Sequence, residues 1–399
     1  MIKKLLPTMI GAALVGGMAP AVADVTVFGH IDTSIDYVDQ NQSTTNMNCN
    51  TCSIGFKGSE DLGNGLKAIF KIDFQYDTTE RNTGKASSRS STRTINTVTQ
   101  STTTTVGGSV NVNTNYGTTT IRGVTNVSDT SSITDRDQWL GLAGNFGQIR
   151  FGTISTVYKS HGAMIDPVYR TSAQARDHGL QSNAHRGAGE NGQGRAEDTI
   201  RYDSPDWNGL QAGAHYTLQT DTGGSTDSPW GAGIQYKNGP FLVFADYITN
   251  DRGGDDTAYK LGGKWTIGNY SLYGQYEFDD GMLSYLDGAQ FGGNKGDGAD
   301  VWELGATGTW GNNTLVVAYG EKDNTSGGVG EAAVAEQFGE DFGKTETIEI
   351  VGIHNLSKRT LVYGGYINRS FDGYYYNSND QKKNFSDQDI VTVGMKHLF

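Results

Sequence analysis

From Leu66 to Tyr76 the chain reads LKAIFKIDFQY, with Leu66, Ala68, Phe70, Ile72, Phe74 and Tyr76 on one parity. Lys67, Ile69, Lys71, Asp73 and Gln75 fall on the other. Successive side chains of an extended strand point to opposite faces, so this period of two builds a ribbon with one apolar and one polar side. The pattern recurs downstream. Leu210, Ala212, Ala214, Tyr216 and Leu218 oppose Gln211, His215, Thr217 and Gln219; Trp230, Ala232, Ile234 and Tyr236 oppose Gln235 and Lys237. Tyr259, Leu261 and Trp265 oppose Lys260 and Lys264, and Tyr270, Leu272, Tyr276 and Phe278 oppose Ser271, Gln275 and Glu277. No comparable 3.6-residue stripe follows Asp24, so an all-β chain is expected.

Two architectures alternate in this way, a soluble sandwich and a membrane-spanning antiparallel barrel whose apolar face meets lipid. The polar parity carries lysine, aspartate and glutamate at strand centres, as a wet lumen permits, and the apolar runs begin or end in Tyr or Trp, as interfacial girdles do. Connections alternate between short turns, such as Ser59–Asn64, Asn238-Gly239 and Ile267–Asn269, and long loops, such as Asp39–Thr51, Asp77–Arg136 and Ser155–Gly194. Counting them predicts a transmembrane β-barrel of about 16 strands, with tight turns at one end and loops at the other. Composition fits: 56 glycines, only 6 prolines and 20 tyrosines in 399 residues suit an uninterrupted ladder with aromatic rims. A mean hydropathy of -0.49 excludes a helical membrane bundle, and a formal charge of -13 argues against nucleic acid as a partner.

Lys3-Lys4, the apolar stretch Leu5–Met18 and Ala21-Val22-Ala23 read as a cleaved signal peptide over residues 1–23, leaving a barrel domain over 24–399. Cys49 and Cys52 are the only cysteines. A CxxC serves redox, zinc or haem chemistry, but position 53 is serine rather than the histidine haem needs, and no second ligand pair is spaced for zinc. A local disulfide in an oxidising compartment is the reading preferred over a redox motif.

Several segments resemble the general diffusion porins of Gram-negative bacteria, particularly the beta-proteobacterial type. These are Asp24–Gly29, Ile54–Ala68, Trp139–Gly147, Arg201–Pro205, Leu356–Thr360 and Val393–Phe399. The last closes an alternating strand on Phe399, which is similar to the assembly signal of outer-membrane barrels. The resemblance implies a homotrimer in the outer membrane, each barrel with its third loop folded inward. That loop would be Ser155–Gly194, with Asp166, Asp177 and Glu190 alongside Lys159, Arg170, Arg176 and Arg186. The family pattern sets acidic loop residues against a basic wall. Here Ser53 and Thr153 stand where arginines are usual, which puts that cluster in doubt. Candidate wall residues are Lys57, Lys71, Arg150, Arg195, Arg201, Lys260 and Lys264, each open between the narrowest point and the wider lumen.

Residues 78–134 hold 27 Ser or Thr among 57. Thr94–Thr99 and Ser109–Thr114 alternate, so this external insertion admits an added β-hairpin or a solvated tract. No HExxH, GxSxG or EF-hand spacing is present, so neither enzyme activity nor a cofactor is expected. The acidic run Asp251–Asp256 could bridge divalent cations to lipopolysaccharide. The expected function is passive diffusion of ions and small hydrophilic solutes, leaning to anions. Rivals are a substrate-specific anion or organic-acid channel, and a closed barrel acting as adhesin or enzyme.

Overall fold

In the computed structural model, residues 24–79, 87–103, 111–127, 133–182, 194–218, 229–249, 257–280, 300–323, 340–341, 343–376 and 382–399 are described. The expected signal peptide, residues 1–23, lies outside them. The wall begins with β1 (Asp24–Asp39), β2 in two parts (Thr44–Cys49 and Ser53–Gly63), β3 (Leu66–Tyr76), β4 (Ile133–Gly144) and β5 (Gly147–Ser155). It continues with β6 (Arg195–Asp203), β7 (Leu210–Thr217), β8 (Trp230–Asn238), β9 (Phe241–Thr249), β10 (Thr257–Ile267) and β11 (Tyr270–Asp280). Last come β12 (Asp300–Trp310), β13 (Asn313–Asp323), β14 (Lys344–Asn355), β15 (Thr360–Phe371) and β16 (Gln388–Leu398).

These 16 strands form a closed antiparallel barrel. Closure is made by β16 on β1, with register from His30↔Leu398 to Asp39↔Asp389. Gly29 and Phe399 exchange both backbone hydrogen bonds at 3.1 Å, so the terminal residue seals the seam. A closed ladder leaves no strand edge, which is what lipid demands of a sheet.

Burial is inverted relative to a soluble fold. On β16, Val393 keeps 62% of its surface exposed while Thr392 beside it is at 0%. On β10, Leu261 is 57% exposed and Lys260 is at 0%. The same holds for Ile348 and Ile350 against Thr347 and Glu349 on β14. A continuous outward apolar belt around a polar interior has lipid as its only stable solvent.

The connections between β2 and β3, β8 and β9, β10 and β11, and β12 and β13 are two-residue turns. At Asn64-Gly65 both residues take positive φ (53° and 77°), the geometry that continues the strands' own twist and that favours Asn-Gly. The turn expected over Ser59–Asn64 is therefore tighter, because β2 runs to Gly63. The loop expected over Asp39–Thr51 is largely strand: Thr44–Cys49 pairs with β1 from Val38↔Thr44 to Thr33↔Cys49. That segment is mostly exposed, so it has no apolar parity to read.

Residues 80–134 make a separate unit. Its backbone forms one antiparallel hairpin, Ser87–Thr103 on Asn111–Val127, in continuous register from Ser87↔Val127 to Thr103↔Asn111. Of the two readings of this tract, the hairpin describes its backbone.

Candidate functional site

Two sets of lumen side chains face each other. On β3 to β6, Lys71 bonds Asp137 at 2.9 Å and approaches Asp73 at 3.5 Å. Arg195 Nε reaches Asp137 at 2.8 Å, and Arg201 Nη2 reaches Asp203 at 2.7 Å, with Arg150 on the same carboxylate. Arg136 lies 3.4 Å from Asp73 and donates to Gln75 Oε1 at 2.7 Å. The cations Lys71, Arg136, Arg150, Arg195 and Arg201 outnumber Asp73, Asp137 and Asp203, so this wall is basic. Lys57 adds to it, sharing the Phe28 ring with Lys71 at 5.4 and 5.5 Å.

Across the lumen, Asp246 (β9), Glu277 (β11), Glu303 (β12) and Glu349 (β14) form an acidic wall, and the third loop is fastened to it. After Ser155 the chain turns into helix α1 (Val157–Ile165), whose start is capped by Thr156 Oγ1 accepting from Lys159 N. No 3.6-residue stripe in the sequence announces this helix; nine residues are too few for one to register. Val157 seats on β7 and β8 at Gly213 and Gly233, where added Cβ atoms would come within 3.0 and 2.8 Å of its methyls. Only glycine lets a helix approach the wall so closely.

Polar ties complete the docking. The Tyr158 hydroxyl and Ser182 N donate to Glu277 at 2.9 and 3.0 Å, and Gln181 donates to Glu303 at 2.7 Å. His161 meets Asp246 at 2.6 Å. Lys396 donates to Tyr169 O at 2.8 Å, and Thr347 to His178 O at 2.6 Å. Ile165, Ala175 and Leu180 pack on Phe244, Tyr273 and Ala318, while Val168 and Ala173 pack on Val316, Val351 and Ile367. The loop thus folds inward, and its back covers the acidic wall.

Its other face carries cations toward the basic wall. Lys159 is buried, and that burial, followed by the nearby guanidiniums of Arg195 and Arg176 and that of Arg136, pushes its ammonium well below the usual lysine range. Arg170 and Arg176 lie 5.5 and 5.2 Å from the Tyr169 ring. Asp166 does not face these cations as an open charge: it accepts from Val168 N at 2.9 Å and Ala175 N at 3.2 Å, folding the loop's turn. Burial raises its carboxyl to about 6. Asp177 is engaged by Gln174. Glu190 lies outside the described residues.

Placement of the remaining candidates varies. Lys260 is on the lumen face but lies under α1, its ammonium 3.9 Å from the Tyr158 ring and donating to Tyr158 O, so it anchors the loop instead of lining open water. Lys264 is half-buried on the same strand, opposite Tyr273. Arg201 lies on the basic wall and also grips the loop through Ser155 O at 2.6 Å and Ser160 Oγ at 2.9 Å. Cys49 and Cys52 are joined, with Cα atoms 5.8 Å apart.

Arg136 is absent from the wall candidates that alternation yields, because in sequence it closes a long polar stretch; the strand that carries it, β4, begins at Ile133. Gln75, its partner, pairs in register with Ser53, and two residues along β4 Gln138 pairs with Thr153. Through its bond to Gln75 this guanidinium from β4 is tied to the strand pair that includes Ser53, one of the two positions that lack an arginine. Among the described residues no cluster of His, Cys, Asp or Glu is arranged to hold a metal ion.

A lipid-facing barrel with a loop docked inside it and charged walls around the gap is the architecture of an outer-membrane barrel protein. The chain belongs to the Gram-negative porin family, whose profile matches residues 10–374. The major outer membrane protein P.IB of Neisseria meningitidis is 28% identical over 246 residues, 59% of this chain and 56% of that protein. The P.IB of Neisseria gonorrhoeae is 25% identical over 254 residues, 60% of this chain and 55% of that protein. The matches thus span little more than half the length of these relatives. Among solved structures, an anion-selective porin from Comamonas acidovorans superposes with TM-score 0.62 at 22% identity, covering 95% of this chain and 100% of that one. Salmonella typhi OmpF, in complex with daunomycin, gives 0.61 at 15% identity, covering 94% and 97%.

Proposed function

We propose that this protein is a water-filled diffusion channel of the outer membrane that passes ions and small hydrophilic solutes, without turnover, and that it favours anions. One observation carries the selectivity. Arg170 and Arg176 on the loop share the gap with Arg136 and Arg195 on the wall, so positive charge stands on both sides of the constriction. In a narrow aqueous passage, fixed charges of one sign concentrate the opposite ion. The acidic wall that could offset them is covered by the back of the loop. Liposomes carrying the purified protein should swell in isotonic small neutral sugars, more slowly as solute size grows; absence of swelling contradicts the reading.

We infer a homotrimer from the outward surface. The exposed tryptophans of the strands, Trp230, Trp265 and Trp310, lie on β8, β10 and β12, whereas β16, β1 and β2 present Val393, Met395, Ile31, Ile35 and Ile54. Interfacial tryptophans mark a lipid boundary, and a mostly aliphatic face that exposes Tyr37 and Phe56 but no tryptophan fits a second copy of the chain. Lipopolysaccharide contact through residues 251–256 belongs to the same proposal; those residues lie outside the described ones.

A further inference from the structure

The Cys49–Cys52 bond is a feature that solute diffusion does not require. It closes a loop of minimal length, so it restrains the unfolded chain little and contributes little to global stability. Its local effect is larger. On β1, Ile31 and Asp32 lie between the pairs His30↔Ser53 and Thr33↔Cys49, while Asn50, Thr51 and Cys52 occupy the facing strand. One extra residue makes a bulge, and Thr51 takes φ 54° within it. The bulge directs Asn50 to the lumen side. Its amide donates to Asp32 Oδ1 at 2.7 Å, to Ser34 Oγ at 3.0 Å and to the Tyr363 hydroxyl at 3.3 Å. Tyr363 in turn donates to Asp32 at 2.8 Å and accepts from Ser172 N of the third loop at 3.3 Å. Ser172 Oγ also meets Thr392 Oγ1 at 2.5 Å. A continuous polar chain therefore runs from the disulfide-closed bulge to the far side of the constriction loop.

We propose that the thiol–disulfide state of Cys49 and Cys52 sets the position of the third loop, making the pore responsive to dithiols at the cell surface. This rests on the channel reading above. The bond lies level with the end of β3, where Tyr76 N donates to Cys52 O at 3.1 Å, at the end of the barrel opposite the tight turns. Cys49 keeps part of its surface exposed while Cys52 is fully buried, so an incoming thiolate attacks Cys49 Sγ and Cys52 leaves as thiolate. The resulting mixed disulfide is resolved by the reductant's second thiol. Overall the cystine gains two electrons and two protons, giving two thiols, and the dithiol becomes its cyclic disulfide. Without the cross-link the bulge relaxes, Asn50 leaves Tyr363, and one of the two bonds that hold the Tyr363 hydroxyl against Ser172 is lost.

The test is single-channel recording of the purified protein in planar bilayers, with dithiothreitol added to one chamber and then the other. Thiol formation is followed in parallel by a mass-tagging maleimide. Expected are a changed unitary conductance and at least a doubling of open-channel current noise on reduction, reversed on reoxidation. Asn50→Ala, with its disulfide intact, should show the reduced-like noise from the outset and respond little further to dithiothreitol. Complete tagging with unchanged conductance and noise overturns the proposal, as does a bond that resists dithiothreitol in the assembled protein. Absence of any conductance in the oxidised protein counts against the channel reading instead, so the two failures are distinguishable.

Discussion

The Tyr158 hydroxyl of helix α1 donates to Glu277 Oε2 of β11 across 2.9 Å, with Lys260 held beneath the same tyrosine ring at 3.9 Å. These residues are 119 positions apart in the chain, and their meeting fixes the loop that narrows the pore. A carboxylate that a soluble reading would assign to the surface is here the post to which the constriction is tied.

Removing that tie should loosen the loop and spare the barrel. Tyr158→Phe deletes a hydrogen bond to a carboxylate, worth about 1.5–3 kcal/mol. Single-channel records should show greater current noise, while the heat-induced mobility shift of the folded protein on gels stays within a few degrees of the parent.

Close approach of α1 to the wall should be equally sensitive. Gly233→Ala drives a Cβ into Asp246 Oδ1, the partner of His161, and within 2.8 Å of Val157 Cγ1. Overpacking of this kind costs about 1–3 kcal/mol. Protease protection of the loop in liposome-reconstituted protein should fall in this variant; unchanged protection would show that α1 does not seat there.

Arg136 should carry more of the selectivity than the lysines that alternation favours. A unit charge at roughly 4 Å in water is worth about 1 kcal/mol, or about a fivefold change in ion partition. Arg136→Ala should lower the chloride-to-potassium permeability ratio by a few-fold, whereas Lys260→Met should act chiefly on the loop's stability. Reversal potentials of the two variants separate the roles.

Asp166 gives a pH dependence with a definite sign. Burial raises its carboxyl to about 6, above the value of about 3.9 for an unfolded aspartate. The neutral form therefore favours the folded loop. That stabilisation is fully present below pH about 4 and is lost as pH rises through about 6, amounting to at most roughly 3 kcal/mol. Acidification from pH 7.5 to 5 also removes one negative charge beside the gap, so anion preference should rise. Asp166→Asn should flatten both trends, in reversal potential and in the thermal midpoint.

The barrel was legible because its chemistry repeats: each strand must show lipid one apolar parity, and Leu66–Tyr76 or Thr257–Ile267 displays it unaided. The constriction was less legible because its contacts are neither local nor periodic. Val316, Val351 and Ile367 face inward and break the polar parity, since they cushion the loop and do not line water. Lys260 has the right parity and the wrong surroundings, for alternation gives a face but no depth. Arg136 was hidden in a tract of Ser and Thr that carried no apolar rhythm, although its strand resumes there. The cysteines were visible as a pair, but the bulge they close depends on a register shift against β1 that a single strand does not reveal.

A water-filled pore with positive charge on both sides of its gap fixes the sign of the zero-current potential in a planar bilayer. Under a tenfold potassium chloride gradient, conductance should appear in ohmic steps, with the reversal potential displaced toward the chloride equilibrium value. A potential displaced toward the potassium value would contradict it.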